Sequence, residues 1–175
     1  MTTVANILLE TKRLYIFPLS YDQLVQYLQA NNVLEESLGL SFYPRTLPAE
    51  LVEAFEQTIL PAVANPANDY VYSTLWTMML KEKQVMVGDL CFKGAPNEAG
   101  EIEIGYGTYE DFQGAGYMTE AIAALTAWAF EQPGVTTILA ETEASNIPLH
   151  KTLQKNNFTP YMQKENMQWW RLEKS

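Results

Sequence analysis

Glu103-Ile104-Gly105-Tyr106-Gly107-Thr108-Tyr109-Glu110-Asp111-Phe112-Gln113-Gly114-Ala115-Gly116-Tyr117-Met118-Thr119-Glu120-Ala121 decides how this chain folds. The stretch opens with strand-like alternation and passes through a short acidic turn. Two glycines then lead into an alanine-rich segment of helical period. Gly114 and Gly116 carry no Cβ, so the backbone there turns sharply and a ligand can approach its N–H groups. The helix that follows starts with unpaired amides at the positive end of its dipole, which suits a phosphate. A strand feeding a glycine turn at a helix start is a phosphate cradle in outline.

The residues after the glycines narrow the kind of cradle. A nucleotide P-loop places Lys and then Ser or Thr after its last glycine, where Tyr117 and Met118 stand here. A dinucleotide fingerprint needs a third glycine or alanine where Thr119 stands. Gln113-Gly114-Ala115-Gly116-Tyr117-Met118 instead resembles the pyrophosphate loop of the GNAT acyl-CoA N-acyltransferase superfamily, with Met118 in place of its final small residue. A plain strand-to-helix turn stands beside that reading.

A second segment adds weight. Asn146-Ile147-Pro148-Leu149-His150-Lys151-Thr152-Leu153-Gln154-Lys155-Asn156-Asn157-Phe158 resembles the later motif of the same superfamily, in which an Asn opens a helix that ends in Gly-Phe. Asn157 replaces the Gly, a mild change because Asn tolerates the left-handed conformation at a helix end. Leu149 stands where Ser or Ala is frequent. The opening Leu9-Glu10-Thr11-Lys12-Arg13-Leu14-Tyr15-Ile16 and the closing Met167-Gln168-Trp169-Trp170-Arg171-Leu172 resemble the ends of the ribosomal-protein N-terminal acetyltransferase (RimJ/RimL-type) branch.

The resemblance implies an α/β fold. It would be a single GNAT-type domain over residues 1–175, with a central mixed, twisted and partly splayed sheet of about seven strands and helices on both faces. The coarse pattern agrees. Strands are expected over residues 12–19, 70–80, 85–92, 101–109 and 135–142, and a hairpin over 158–172. Helices are expected over 21–30, 48–60, 115–131 and 147–156. Ser20 reads as the N-cap of the first helix and Pro48 as the start of the second.

Composition sets limits on function. With 175 residues and 47% hydrophobic residues, the chain suits one domain with a sizeable core. The first residues lack the basic start and long apolar core of a secretory leader, and no apolar run reaches membrane-spanning length. The single cysteine, Cys91, forms no internal disulfide, so a cytoplasmic location is expected, without membrane or nucleic-acid partners. The net charge of −10 opposes nucleic acid. It would favour a cationic acceptor such as an amine, or serve only solubility.

The resemblance also implies a chemistry, acetyl transfer from acetyl-CoA to a primary amine, either a small molecule or a protein N-terminus. No metal is called for, and the protein is expected as a monomer or homodimer. Ile104, Tyr106, Gln113, Gly114, Ala115, Gly116, Tyr117, Met118, Asn146 and Lys151 are expected at the cofactor. Among these, Tyr106 would offer a backbone N–H to the thioester carbonyl. An amine is protonated at neutral pH (about 8 for an α-amine, about 10.4 for lysine), so a base is needed. Glu103 is the first candidate and Glu141 the second, each with an alternative as an ordinary strand residue. Leu153 replaces the Tyr that many members use as an acid. That keeps a catalytically silent module, binding acyl-CoA or a protein partner, as the alternative. Phe42, Tyr43, Tyr70 and Tyr72 could line an aromatic acceptor pocket or equally belong to the core.

Overall fold

The computed structural model describes residues 7–175; the leader reading falls largely on residues outside that range. One eight-stranded sheet runs in the order β1-β2-β3-β4-β5-β6-β8-β7. Its strands are β1 (Leu9–Glu10), β2 (Leu14–Pro18), β3 (Leu75–Leu80), β4 (Val85–Phe92), β5 (Glu101–Thr108), β6 (Thr137–Glu143), β7 (Thr159–Lys164) and β8 (Met167–Glu173). The strand beyond the expected seven is the two-residue β1 at the edge. All neighbours are antiparallel except β5 and β6, which are parallel and are joined through the helix α5 (Tyr117–Phe130). A parallel pair needs such a crossover, and the glycine turn delivers it.

α1 (Tyr21–Leu28) starts with a capping box. The Ser20 side chain accepts from Gln23 N (3.2 Å), and the Gln23 side chain accepts from Ser20 N (2.9 Å). α2 (Val33–Leu38) follows as a short helix that the sequence pattern did not announce, closed by Gly39 in the left-handed conformation. α3 (Ala49–Ala54) runs through a π-turn, Phe55–Ile59, into α4 (Leu60–Ala64). Pro61 has no N–H to continue an α-helical ladder. The widened turn, in which Leu60 N bonds Phe55 O, accommodates it. Residues 70–72 form a 3-10 turn rather than the start of a strand, because Asp69 caps Val71 N (3.3 Å).

Two buried clusters fix the layers. Ile102, Ile104, Leu90 and Phe92 pack with Met118, Ala121, Ile122 and Leu125 of α5, and with Leu153 of α6 (Ile147–Lys155). On the opposite face Leu19, Leu24, Tyr27, Leu34 and Phe55 of the early segments cover Leu75 and Met86. Helices thus lie on both faces. The early ones stand against β3 and β4, next to the strand that carries the glycine motif.

A bulge aims one side chain. The β3–β4 register passes from Met78↔Gly88 to Met79↔Met86, leaving Val87 as the extra residue. Val85 and Val87 therefore face α5, whereas Asp89 faces Tyr27 of α1. Strict alternation would have sent Asp89 into the α5 core. Gly88 is required at this bend, since a Cβ there would lie 2.6 Å from the Gly107 carbonyl oxygen.

Candidate active site

Gly114 and Gly116 have φ of 82° and 83°, in the left-handed region that glycine favours. Gly116 is the N-cap of α5, so the amides of the first turn have no partner within the helix. The Gln113 side chain donates to the Thr108 carbonyl (3.1 Å), tying the turn to the end of β5. Met118 is buried in the core, so only its backbone borders the turn. Its bulk does not crowd the glycines.

Arg13 also stands at this turn, which the sequence reading missed. It donates to the Ala115 carbonyl (2.9 Å), pairs with Glu120 (3.2 Å) and lies 4.6 Å from the centre of the Tyr117 ring. Its Nη2 lies 3.4 Å from where a Cβ on Gly116 would be. A cation beside helix-start amides adds to their attraction for an anion.

The sheet opens next to this turn. Lys93 N donates to Glu103 O (2.8 Å) and Tyr109 N to Val87 O (2.9 Å), so the odd-numbered residues of β5 exchange bonds with β4. The even-numbered amides therefore face β6. The β5–β6 ladder runs from Glu101↔Thr137 and stops at Ile104↔Ala140, while β6 continues against β8 as far as Glu143. The Tyr106 N–H, next in the even series, is aimed into the gap between the strands. The Tyr106 phenol is buried with no hydrogen-bond partner among the described residues, and burial pushes its pKa up.

On the face of β4 and β5 that carries the early helices lies a cavity of about 710 Å³. Gly105 and Gly107 of β5, Asp89 and Cys91 of β4, and Tyr27 and Phe55 form part of its wall. The loop bearing Tyr43 and Arg45 closes it. Arg45 holds that loop down through a buried ion pair with Glu35, the two side chains being 2% and 1% exposed. It also donates to the Tyr27 carbonyl (3.0 Å). Burial pushes the Cys91 thiol up, so it stays protonated at neutral pH.

Of the expected bases, Glu103 is held by Lys93 (2.5 Å) on the β5 face that carries Gly105 and Gly107. Glu141 lies on β6 one residue beyond the last β5–β6 pair, near the same lysine. Neither lines the cavity. Asn146 caps α6, its side chain accepting from Leu149 N (3.3 Å) and leaving its Nδ2 out of that bond. Lys151 is exposed on α6. Leu153 is fully buried, and His150 bonds the Glu143 carbonyl (3.0 Å) and packs on Trp170. Tyr43 is the one expected aromatic residue in the cavity wall. Tyr72 belongs to the α5-side core with Phe92 and Trp128, and Phe42 is exposed.

The family of the Acetyltransferase (GNAT) domain matches residues 13–159, a span that includes the glycine turn, the gap and the Asn146 helix. The chain belongs to the GNAT acetyltransferase family. Members of this family are acyl-CoA-dependent acetyltransferases, so the motif resemblance holds at family level. An uncharacterized N-acetyltransferase of Bacillus subtilis, YjdG, is 37% identical over 83 residues. That match spans about half of each protein, 47% of this chain and 49% of the relative.

Solved acetyltransferase structures share the fold at low identity. The ribosomal L7/L12 α-N-protein acetyltransferase RimL in complex with coenzyme A superposes with a TM-score of 0.68 at 16% identity, covering 95% of this chain and 98% of that one. A putative ribosomal-protein-serine acetyltransferase from Vibrio cholerae gives 0.65 at 18%, covering 98% and 100%. A ribosomal-protein-S5-alanine acetyltransferase from Vibrio fischeri gives 0.64 at 14%, covering 96% and 97%.

Asp89 and Arg13 are the residues that reading the sequence alone overlooked. A lone carboxylate inside the apolar run Val85–Phe92 was the available signal for Asp89. Arg13 gave none, since it meets the turn across about a hundred residues of chain.

Proposed function

We propose that this chain transfers the acetyl group of acetyl-CoA to a primary amine, a small molecule or a protein N-terminus, by direct attack through a tetrahedral intermediate. The single observation that carries this reading is the Tyr106 N–H aimed into the gap, with the glycine turn at one end and the cavity beside it. A fixed N–H donor costs no reorganisation when charge develops on a carbonyl oxygen, and the family's thioester chemistry develops it.

The residues present fit the co-substrate. The amides from Gly114 to Met118, with Arg13 alongside, offer donors and positive charge to a pyrophosphate. Gln113 fixes the turn. Ile104 and Tyr106 on β5 border the gap that would take the pantetheine arm, and the Nδ2 of Asn146, not used in its cap, would be left to donate to it. Lys151 would add charge on the solvent side. The thiol of half-buried Cys91, held up in pKa and protonated, disfavours an acyl-cysteine step, which agrees with direct attack.

Leu153 supplies no proton to the departing sulfur. A thiol with a pKa of about 8.5 costs only about 2 kcal/mol to release as thiolate at neutral pH, so water suffices. The buried Leu153 is also what favours the second reading, a silent module that binds acyl-CoA or a protein partner. We place the protein in the cytoplasm as a monomer or homodimer with one GNAT domain over residues 1–175.

Thiol release from acetyl-CoA, measured over polyamines, amino acids, aminoglycosides and peptides with free N-termini, tests the proposal. Turnover with any of these amines is expected. Tight acetyl-CoA binding without turnover would support the silent module instead.

A further inference from the structure

The cavity floor holds a carboxylate without a counter-ion. Asp89 Oδ2 accepts from Tyr27 Oη at 2.7 Å and from Tyr109 Oη at 3.2 Å. Oδ1 has only Tyr109 Oη, at the 3.5 Å limit of a hydrogen bond. The two phenols also lie 3.1 Å apart, so Tyr109 has a second acceptor for its one proton and Oδ1 is left uncommitted. Among the described residues no cation forms an ion pair with Asp89. Arg45, the guanidinium whose charge reaches Asp89, pairs with Glu35 and donates to the Tyr27 carbonyl through its Nη atoms, and forms no ion pair with Asp89. Buried charges are ordinarily paired.

The position of this carboxylate relates it to the reaction. Asp89 is the register partner of Gly107, and Leu90 of Tyr106, so Asp89 lies opposite the residue next to the one whose amide is aimed into the gap. Gly107 presents no side chain between them, and a Cβ there would meet nothing within 4 Å. The bulge at Val87 turns Asp89 to this side, and Gly88 permits that bulge. Glu110 and Asp111 also lie in the cavity wall, so the wall offers carboxylates to a cation.

We propose that Asp89 is the receptor and proton acceptor for the acceptor amine, its Oδ1 seating an ammonium at the floor of the cavity. This rests on the acetyltransferase reading above. The ammonium gives one proton to the Asp89 carboxylate. The freed nitrogen lone pair forms the C–N bond at the thioester carbonyl and the C–S bond breaks. The second nitrogen proton leaves to the departing sulfur, giving amide and thiol, and Asp89 returns its proton to water. No other co-reactant is needed. Burial pushes Asp89 up to about 6, against the hydrogen bonds of Tyr27 on α1 and Tyr109 after β5 and the charge of Arg45 on the closing loop. A carboxylate so placed is ionised at neutral pH yet more basic than an exposed one.

The test compares the wild-type protein with Asp89→Asn and Tyr109→Phe. The acceptor probes are Ser-Ala-Ala amide and phenethylamine, followed from about pH 5 to 9 with calorimetric acetyl-CoA binding in parallel. For Asp89→Asn, kcat/KM should fall on the order of 100-fold at neutral pH while the acetyl-CoA Kd stays within about twofold. Tyr109→Phe removes a donor that favours the charged carboxylate, so the acidic limb of kcat/KM should move to higher pH. A merely structural Asp89 would leave that limb in place. Wild-type kcat/KM and an unmoved limb in Asp89→Asn would overturn this assignment alone. Failure of the wild-type protein to bind acetyl-CoA would overturn the acetyltransferase reading, and this inference with it.

Discussion

Asp89→Asn should stabilise the protein at neutral pH and above, and scarcely at pH 4. The substitution keeps the side-chain shape and an oxygen for the Tyr27 phenol, but removes the charge. Asp89 rises from 3.8 to about 6 on folding, chiefly because burial penalises the carboxylate. A raised folded value means that the folded state binds the proton more readily than the unfolded chain. The stabilising contribution is therefore complete below the unfolded value and is lost as pH rises through about 6. Two units at about 1.4 kcal/mol each give roughly 3 kcal/mol as the largest loss in the wild-type protein. At about 2–4 °C per kcal/mol for a chain of this size, that is up to roughly 6–12 °C in Tm. Urea or thermal unfolding of both proteins at intervals from about pH 4 to 8 reads the difference. It should be smallest near pH 4, grow through about pH 6 and level off above pH 7. A difference that stays flat across the range would show that the Asp89 carboxylate is not held against its own ionisation. Stability gained where turnover is lost marks a group kept for function.

Three further substitutions separate the parts of the site. Gly116→Val places a β-branched residue at φ 83° and crowds Arg13, so acetyl-CoA affinity measured by calorimetry should fall at least about tenfold, or roughly 1.4 kcal/mol, while circular dichroism shows the fold retained. Gly107→Val projects into the cavity where no atom lies within 4 Å of its Cβ; acceptor KM should rise on the order of tenfold with acetyl-CoA binding unchanged. Glu103→Gln frees Lys93, and Glu141→Gln removes the second expected base. With Asp89 as proton acceptor, each should lower kcat less than about tenfold, and a loss near 100-fold in either that shrinks as pH rises would return the role to that glutamate.

The parts legible in the sequence were those that backbone chemistry writes into residue identity. A turn that needs positive φ wrote Gly114 and Gly116, an unpaired helix start wrote Ser20 and Asn146, and the crossover helix wrote its own period. Residues 70–72 misled because aromatic and β-branched residues suit a strand, yet the Asp69 side chain offered Val71 N a closer partner. α2 is too short for a period to show, and β1 has only two residues. The acceptor side was hidden because a bulge breaks the period-2 rule that predicts facing. Without it, Asp89 would read as a core-facing residue, and Gly88 is the one local trace of the break. Arg13 reaches the glycine turn, and Arg45 the Glu35 carboxylate, only through tertiary packing.

Titration of the wild-type protein with acetyl-CoA, followed by thiol release on adding amines, decides whether the glycine turn and the gap beside it hold a working acetyl donor. Saturable binding in the micromolar to low millimolar range, about −8 to −4 kcal/mol, and amine-dependent release of one thiol per amide formed are expected. No heat of binding at millimolar acetyl-CoA would contradict the acetyltransferase reading.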